Sequence, residues 1–203
     1  MLKELFESSF YITYPRVLEK VLFLKEWICN GDFFLTDENA CRDCENVCCD
    51  DPSQREQMKV KAVSPVNIIS IDQVISYVRE DIGKSCDYMI DNSNMIALVE
   101  LTCSKAEYVL DKRQTARKQL YNSLCLLFFN PVIKKHIEDH AYRYVVFSWK
   151  DSIWNAHEHD GVEDSMMGMT MMPDLVYSAE NESKFDFDFK LKEIRYPHPF
   201  VCK

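Results

Sequence analysis

The sequence predicts an α/β fold in which helices pack on a mixed central β-sheet. Two short β-prone segments, about 85–91 and 95–102, are separated by the turn sequence Asp-Asn-Ser-Asn and predict a hairpin. Apolar residues then recur at helical spacing over about 105–130, and the aromatic and β-branched run from Tyr142 to Trp149 predicts a returning strand. A hairpin, a long helix and a returning strand in this order favour a mixed sheet with helices packed on it.

The segments on either side predict additions to this core. Residues 1–30 show helical spacing of apolar residues, and Asn30-Gly31 is expected to end that helix. Residues 31–62 are polar and are expected to be irregular, whereas about 71–81 predicts a second helix. Alternation of apolar and polar residues in the C-terminal stretch KFDFDFKLKEIRY predicts a half-exposed strand.

The chain length indicates one domain. A chain of 203 residues can bury a full hydrophobic core, and a single domain with embellishments is the default for this size. We expect the core of this domain at about 70–150. An N-terminal helix and a Cys-rich loop would then occupy 1–69, and a C-terminal extension would occupy 151–203.

Composition and charge narrow the function classes. The formal net charge is −9, whereas a protein that grips nucleic acid over its whole surface is usually basic, so any nucleic-acid contact is expected to be local. There are only four glycines and no Gly-rich phosphate-binding motif, which excludes the common nucleotide-binding loops. No apolar segment has the pattern of a signal peptide or the length of a membrane span. We expect a cytoplasmic protein without membrane contact.

Two carboxylates stand at the predicted hairpin. Asp87 lies on the first strand, and the very apolar second strand ends on Glu100. Because the two strands pair, both acids are expected at the same end of the sheet, where the backbone carbonyl of Leu101 could add a third oxygen. Such a set of hard oxygen ligands suits Mg²⁺ or Mn²⁺. The hairpin therefore predicts a metal site.

The order of elements, with an acid on one strand and the triplet Glu-Leu-Thr on the next, resembles the PD-(D/E)xK nuclease superfamily, whose fold is restriction-endonuclease-like. The resemblance covers roughly residues 70–150. It implies metal-dependent cleavage of phosphodiester bonds, with Asp87 and Glu100 as metal ligands. It also implies that an acid on the preceding helix assists, for which Glu80 is the candidate. The chain departs from the family at Thr102, which stands where the family has a lysine.

The threonine leaves two interpretations open. A Thr hydroxyl carries no positive charge, so an active enzyme needs a cation from elsewhere, and Lys105 and Lys112 are the candidates. Gln119 would then help to bind the substrate backbone. In the other interpretation the chemistry is lost, and the chain is a catalytically inactive module that binds a protein or nucleic-acid partner.

The segment after Glu100 is locally basic. Between residues 105 and 118 the acids Glu107 and Asp111 are outnumbered by cations, which are Lys105, Lys112, Arg113, Arg117 and Lys118. A local excess of positive charge in an acidic protein suits contacts to phosphate groups. We therefore expect Arg113, Arg117 and Lys118 to contact substrate, and this helix to be the route to a nucleic-acid partner.

Nine cysteines are many for a cytosolic chain, and an odd number does not suit a closed set of disulfides. Four of them cluster in the sequence CRDCENVCC, with a fifth upstream; the five are Cys29, Cys41, Cys44, Cys48 and Cys49. A C-x-x-C pair is a good local unit for structural Zn²⁺, although a second such pair is missing. A zinc site, a redox pair or disulfide, and unligated thiols all stay open.

Overall fold

The computed structural model of the chain describes residues 2–10, 13–14, 24–36, 57–75, 84–104, 106–151 and 180–202. The cysteine cluster around residue 45, the predicted helix acid Glu80 and the predicted cation Lys105 lie outside these ranges. The same holds for most of the predicted extension after residue 151.

A mixed sheet of eight strands forms the centre of the fold. The strands are β1 (Glu26–Thr36), β2 (Gln57–Ser70), β3 (Tyr88–Asp91), β4 (Met95–Ser104), β5 (Tyr142–Asp151), β6 (Glu180–Lys184), β7 (Lys190–Arg195) and β8 (Phe200–Cys202). Their order across the sheet is β1-β2-β3-β4-β5-β7-β6, and β8 pairs with β2. The first four strands pair antiparallel, and β6 pairs antiparallel with β7. The pairs β4–β5, β5–β7 and β2–β8 are parallel.

The helices connect and cover these strands. They are α1 (Leu2–Leu5), continued by a π-helical turn (Phe6–Phe10), α2 (Asp72–Ile75), α3 (Val109–Phe129), preceded by a 3₁₀ turn (Ala106–Tyr108), and α4 (Pro131–Glu138). The long helix α3 and α4 together make the crossover that two parallel neighbours such as β4 and β5 require. In the described ranges, no helix combines the length and apolar character needed to cross a membrane.

The central strand β4 is buried on both faces of the sheet. Leu98 belongs to a core that the sheet shares with α1, α3 and α4, whereas Val99 belongs to a second core on the opposite face. The second core is made with side chains of β1, β2 and β8, so the early strands curl over the face that the described helices leave open. A strand that is buried on both faces needs apolar side chains at nearly every position, and this explains why residues 95–101 are almost continuously apolar.

The hairpin, the long helix and the strand after it are confirmed. The predicted strands correspond to β3 and β4, the predicted helix corresponds to α3, and the predicted returning strand corresponds to β5. The second helix is observed as α2, and its predicted continuation beyond residue 75 lies outside the described residues. These elements form from neighbouring residues, so local patterns were sufficient to predict them.

The prediction of a helix through residue 30 is wrong for residues 26–30. This stretch belongs to β1, and Ile28 is 63% exposed while its neighbours Trp27 and Cys29 pack against the core, as alternation in a strand requires. Gly31 has a φ of +78° at a register shift in the β1–β2 pairing, so it allows a bulge and does not end a helix. Pairing with β2 outweighs the helical spacing.

Two further predictions need correction. Residues 31–36 and 57–62, which were expected to be irregular, are strand residues of β1 and β2. The C-terminal alternating stretch is not one strand, because a 3₁₀ turn separates β6 from β7. Phe187 and Asp188 in this turn have positive φ, a conformation that a strand cannot contain.

Helix α4 was not among the elements that the sequence predicted. Pro131 is the first residue of α4, a position at which the missing N–H of proline is harmless. The side chain of Asn130 caps the new helix by accepting hydrogen bonds from the backbone N–H groups of Val132 and Ile133.

Candidate functional site

Asp87 lies beside the backbone of the residue pair Glu100-Leu101. Its Oδ2 atom accepts a hydrogen bond from the backbone N–H of Leu101 at 2.7 Å, and its own N–H donates to the carbonyl of Val99 at 3.0 Å. Glu100 is only 6% exposed. The structure therefore brings the two predicted acids together at one end of the β3–β4 pair, with Leu101 next to both.

The local chain path explains the position of Asp87. Tyr88 is the register partner of Val99, yet the N–H of Asp87 also bonds to the carbonyl of Val99. The carbonyl of Asp87 meanwhile accepts from the N–H of Ile71, at the beginning of α2. Since this carbonyl points toward Ile71, the Asp87 side chain supplies the acceptor for Leu101.

Further negative charge gathers around Cys86. Burial raises the pKa of the Cys86 thiol well above its ordinary value, and the charges of Glu100, Asp87 and Asp72 raise it further, against a hydrogen bond from Ser123 that lowers it. Asp72 lies at the start of α2 and accepts a hydrogen bond from Ser85 Oγ at 2.7 Å. The site thus contains a third carboxylate, from the element that precedes β3.

Sequence reasoning did not propose Asp72, and its own candidate, Glu80, lies outside the described residues and stays a prediction. The available signal was an acid in the first turn of the predicted helix, where side chains are often held by neighbouring groups. That signal marks a helix start, and it says nothing about which later segment meets the helix. The hydrogen bond from Ser85 to Asp72, with the bond from Ile71 N–H to the Asp87 carbonyl, shows that Asp72 lies near Asp87.

One side of α3 faces this site. Gln119 Nε2 donates to the backbone carbonyl of Ser85 at 3.2 Å, and Ser123 Oγ accepts from the backbone N–H of Cys86 at 3.0 Å. Residues three or four positions apart lie on the same side of a helix. Lys112, Ala116, Gln119 and Ser123 are separated in this way, so they form one row along α3. Lys112 is exposed at the end of this row. Gln119 and Lys112, two predicted residues, thus lie on the side of α3 that contacts the segment directly before Asp87.

The other predicted substrate-binding cations are directed elsewhere. Arg113 donates to Glu193 of β7 at 2.5 Å, and the guanidinium of Arg117 lies 5.2 Å from the centre of the Phe185 ring. Arg113 lines a groove that Trp149 and Arg195 also line, between α3 and the β5–β7 pair. Lys118 is exposed to solvent. Arg113 and Arg117 thus contact the β7 side of the molecule and do not join Asp87.

Thr102 occupies a buried position two residues after Glu100. Successive strand residues alternate between faces, so Thr102 and Glu100 share the face on which Leu98 packs against the helices. Thr102 is 8% exposed, and its register partner in β5 is Trp149. The position where the resemblance predicts a lysine is therefore filled by a short, uncharged side chain.

Cys29 is the one member of the predicted zinc set within the described residues. It lies in β1 opposite Val66 and packs against the core on the far side of the sheet. In the described part of the chain, none of the cysteines, Cys29, Cys86, Cys103, Cys125 and Cys202, is joined in a disulfide. The other four members of the predicted set lie outside these ranges, and the zinc site stays a prediction.

A second polar cluster lies at the other end of the hairpin, where sequence reasoning proposed nothing. Asp91 ends β3, and its Oδ1 atom lies 2.7 Å from Nε2 of His140 and 3.4 Å from Nε2 of His136. Burial disfavours the charged carboxylate of Asp91, but the two neighbouring histidines outweigh this effect and hold the pKa of Asp91 below its usual value. Burial likewise disfavours the charged imidazole of His140, but the carboxylate of Asp91 outweighs it and raises the pKa of His140. The spacing His-x-x-x-His was the available signal, since it puts both rings on one side of a helix.

Comparisons of the chain with protein-family models, with curated proteins and with solved structures gave no match. The class of the protein is therefore argued from its fold and from the two polar clusters at the ends of the β3–β4 hairpin.

Proposed function

We propose that this chain is a metal-dependent, phosphodiester-cleaving protein of the PD-(D/E)xK type, with Asp87 and Glu100 at its active site. The observation that carries the proposal is the 2.7 Å hydrogen bond between Asp87 Oδ2 and Leu101 N–H, because it places one carboxylate directly beside the backbone of the other. Two acids held together on rigid strands, in a largely buried place, are typical of a functional site more than of a solvated surface.

The arrangement of elements supports the same class. The strands β2, β3 and β4 pair antiparallel, β4 and β5 pair parallel, and α3 lies in the connection between the last two. This is the mixed sheet with a crossover helix that the resemblance implies for a restriction-endonuclease-like core. Glu100 lies on β4 and Asp87 directly precedes β3, the two strands at which the resemblance expects the metal ligands.

The donor set fits Mg²⁺ or Mn²⁺. Carboxylate oxygens of Asp87 and Glu100, with the backbone carbonyl of Leu101, are hard oxygen ligands of the kind these ions prefer. When bound, such an ion would activate a water molecule and neutralise charge at a phosphate. Asp72, through its bond to Ser85, holds the segment that carries Asp87. Gln119 holds the same segment from α3 and is near enough to contact a substrate backbone.

Lys112 is the cation that we propose in place of the family's lysine. It is exposed, and it lies on the row of α3 that ends at the carboxylate site, whereas Arg113 and Arg117 are turned toward β7. Replacing Lys112 with Ala is expected to weaken binding of nucleic acid about tenfold. The slope of log affinity against log salt concentration should also become less steep by about one, because one phosphate contact is lost.

This expectation is measured by fluorescence anisotropy with labelled single- and double-stranded oligonucleotides at several salt concentrations. Lys134→Ala is the matched control, since Lys134 is exposed on α4 and lies 3.7 Å from Glu138. An equal loss of affinity in both variants would indicate a diffuse charge effect and would remove the special role of Lys112.

The metal site is tested by calorimetric titration of Mn²⁺ into the metal-free protein. Asp87→Asn should lose one bound equivalent, because the substitution keeps an acceptor for Leu101 N–H while removing the charge that attracts the ion. Asp111→Asn, at an exposed position on α3, should bind as the wild type does. Equal Mn²⁺ binding in all three proteins would show that Asp87 has only the structural task of pairing with Leu101.

A catalytically inactive module of the same fold is the second candidate. The buried Thr102 favours it, since a threonine hydroxyl carries no positive charge at the position where the resemblance expects a lysine. This candidate predicts no cleavage of DNA or RNA with Mg²⁺ or Mn²⁺, together with tight binding of a protein or nucleic-acid partner. A cleavage assay on single- and double-stranded DNA and RNA separates the two candidates.

A further inference from the structure

We propose that Asp91, His136 and His140 form a second metal site, which binds a transition-metal ion such as Zn²⁺ at the turn end of the β3–β4 hairpin. The inference does not depend on the proposed function. Asp87 and Asp91 lie at opposite ends of a strand that rises about 3.3 Å per residue, so the two sites are about 13 Å apart. The histidines also give this site a different chemistry from that of the carboxylate site.

The three ligand atoms already surround a volume suited to one ion. Asp91 Oδ1, His136 Nε2 and His140 Nε2 all lie within 4.8 Å of one another. In a tetrahedral site with metal–ligand bonds of about 2.0–2.2 Å, the ligand atoms lie about 3.4 Å apart. The distance of 3.4 Å from Asp91 Oδ1 to His136 Nε2 matches that value, whereas the distance of 2.7 Å to His140 Nε2 is a hydrogen-bonding distance that would have to lengthen. Small side-chain rotations would suffice to admit an ion.

Hydrogen bonding leaves part of the cluster unsatisfied. Asp91 Oδ1 and His136 Nε2 are both buried and lie 3.4 Å apart without an aligned hydrogen bond between them, whereas Asp91 Oδ1 also lies 2.7 Å from Nε2 of His140. Buried polar atoms in folded proteins are nearly always satisfied, so His136 Nε2, which has no aligned hydrogen bond within the described residues, requires an explanation. A metal ion between the three ligand atoms would satisfy it.

The Nδ1 atom of His140 makes a hydrogen bond to a backbone carbonyl, as the second ring nitrogen of metal-binding histidines commonly does. This Nδ1 atom lies 2.8 Å from the backbone carbonyl of His136, so Nδ1 carries a proton and donates it. A bond of this kind fixes the ring and leaves Nε2 to bind a metal. The Nε2 atom lies 2.9 Å from the carbonyl of Asn92 and 2.7 Å from Asp91 Oδ1, both of which accept hydrogen bonds, so in the metal-free protein Nε2 also carries a proton, which a bound metal ion would displace. The Asn92 carbonyl is then a candidate fourth ligand.

The elements that carry the three ligands are rigid. Asn92 Oδ1 accepts from the backbone N–H groups of Asn94 and Met95, which fixes the turn that follows Asp91. His136 lies in α4, whose side chains Ile133 and Ile137 are buried in the core. The His136 side chain is 31% exposed although its Nε2 atom is buried, so one edge of the ring reaches solvent while the ligand atom faces the cluster. Imidazole nitrogen with one carboxylate favours Zn²⁺ over Mg²⁺.

The test is equilibrium dialysis of the full-length, metal-free protein against Zn²⁺. The wild type should bind one equivalent of Zn²⁺ more than His136→Ala, or bind that equivalent at least about 100-fold more tightly. Loss of a residue that only hydrogen-bonds to a metal ligand already lowers affinity about 10- to 100-fold, and loss of a ligand itself should cost at least as much. Visible absorption of the Co²⁺-loaded proteins should show a tetrahedral spectrum component that is missing in His136→Ala. Asp91→Asn should behave as His136→Ala does.

Three controls make the outcome decisive. His198→Ala removes an exposed histidine outside the cluster and should retain the equivalent, as should Glu100→Gln, which alters only the carboxylate site. Melting temperatures in chelator show whether His136→Ala is folded, and its partial exposure leads us to expect that it is. Equal Zn²⁺ binding by wild type, His136→Ala and Asp91→Asn would overturn the proposal and leave an ion pair between Asp91 and His140.

Discussion

Replacing Glu100 with Gln is expected to lower metal-dependent cleavage of a phosphodiester substrate by about a thousandfold or more. Metal-ion catalysis contributes several kcal/mol of transition-state stabilisation, and about 4 kcal/mol corresponds to a factor of about a thousand. Gln has nearly the same shape as Glu but lacks the charge that holds a divalent cation. The rate is measured with the DNA or RNA substrate that the wild type cleaves best, with Mn²⁺ and with Mg²⁺.

The same variant should not be less stable than the wild type when metal is absent. Glu100, Asp87 and Asp72 all act on Cys86, so negative charge is concentrated in a small and largely buried volume. Removing one charge from such a group relieves repulsion, and a residue kept for function often lowers stability. Urea unfolding in chelator measures this. A variant that unfolds much more easily than wild type, with cleavage lowered only in proportion to the folded fraction, would contradict a catalytic role for Glu100.

The fold was predictable where it is built from neighbours in the chain. The hairpin of β3 and β4 has its turn residues between its strands, and α3 has its apolar side within one continuous segment. The first five residues of β1 were mistaken for the end of a helix, because their partner is the distant β2 and helical spacing in the sequence cannot reveal a partner far along the chain. Pairing between distant segments decided the outcome in that case.

The two polar clusters show the same limit. Asp87 and Glu100 belong to one hairpin, so their approach follows from the strand order. Asp91 meets His136 and His140 only because α4 packs its buried side on the sheet and turns its other side toward the β3–β4 turn. That orientation depends on the cap at Asn130 and on the core beneath α4. The sequence contained the histidine spacing but not the identity of the acid.

Asn130→Ala is expected to lower the free energy of unfolding by about 2–4 kcal/mol. Asn130 is 1% exposed, and its Oδ1 accepts from the backbone N–H groups of Val132 and Ile133, each at 3.0 Å. Its Nδ2 donates to the carbonyl of Ser9 at 2.7 Å and to Thr13 Oγ1 at 2.9 Å. Loss of a helix cap costs about 1 kcal/mol, and each buried group left unsatisfied adds about 1–3 kcal/mol. The sum is a large part of the 5–15 kcal/mol that stabilises an ordinary domain.

Urea unfolding followed by circular dichroism measures this loss, and Asn130→Ser separates its two components. Serine caps a helix well but cannot reach Ser9 and Thr13 with a second donor, so about half of the loss should remain. Lys134→Ala, at an exposed position on the same helix, should change stability by no more than about 0.5 kcal/mol. If Asn130→Ala and Asn130→Ser are equally destabilised, the bonds to the N-terminal segment dominate and Asn130 acts mainly by docking residues 2–14 on the sheet. If Asn130→Ala changes stability by less than about 1 kcal/mol, neither the cap nor the docking contributes as the buried geometry requires.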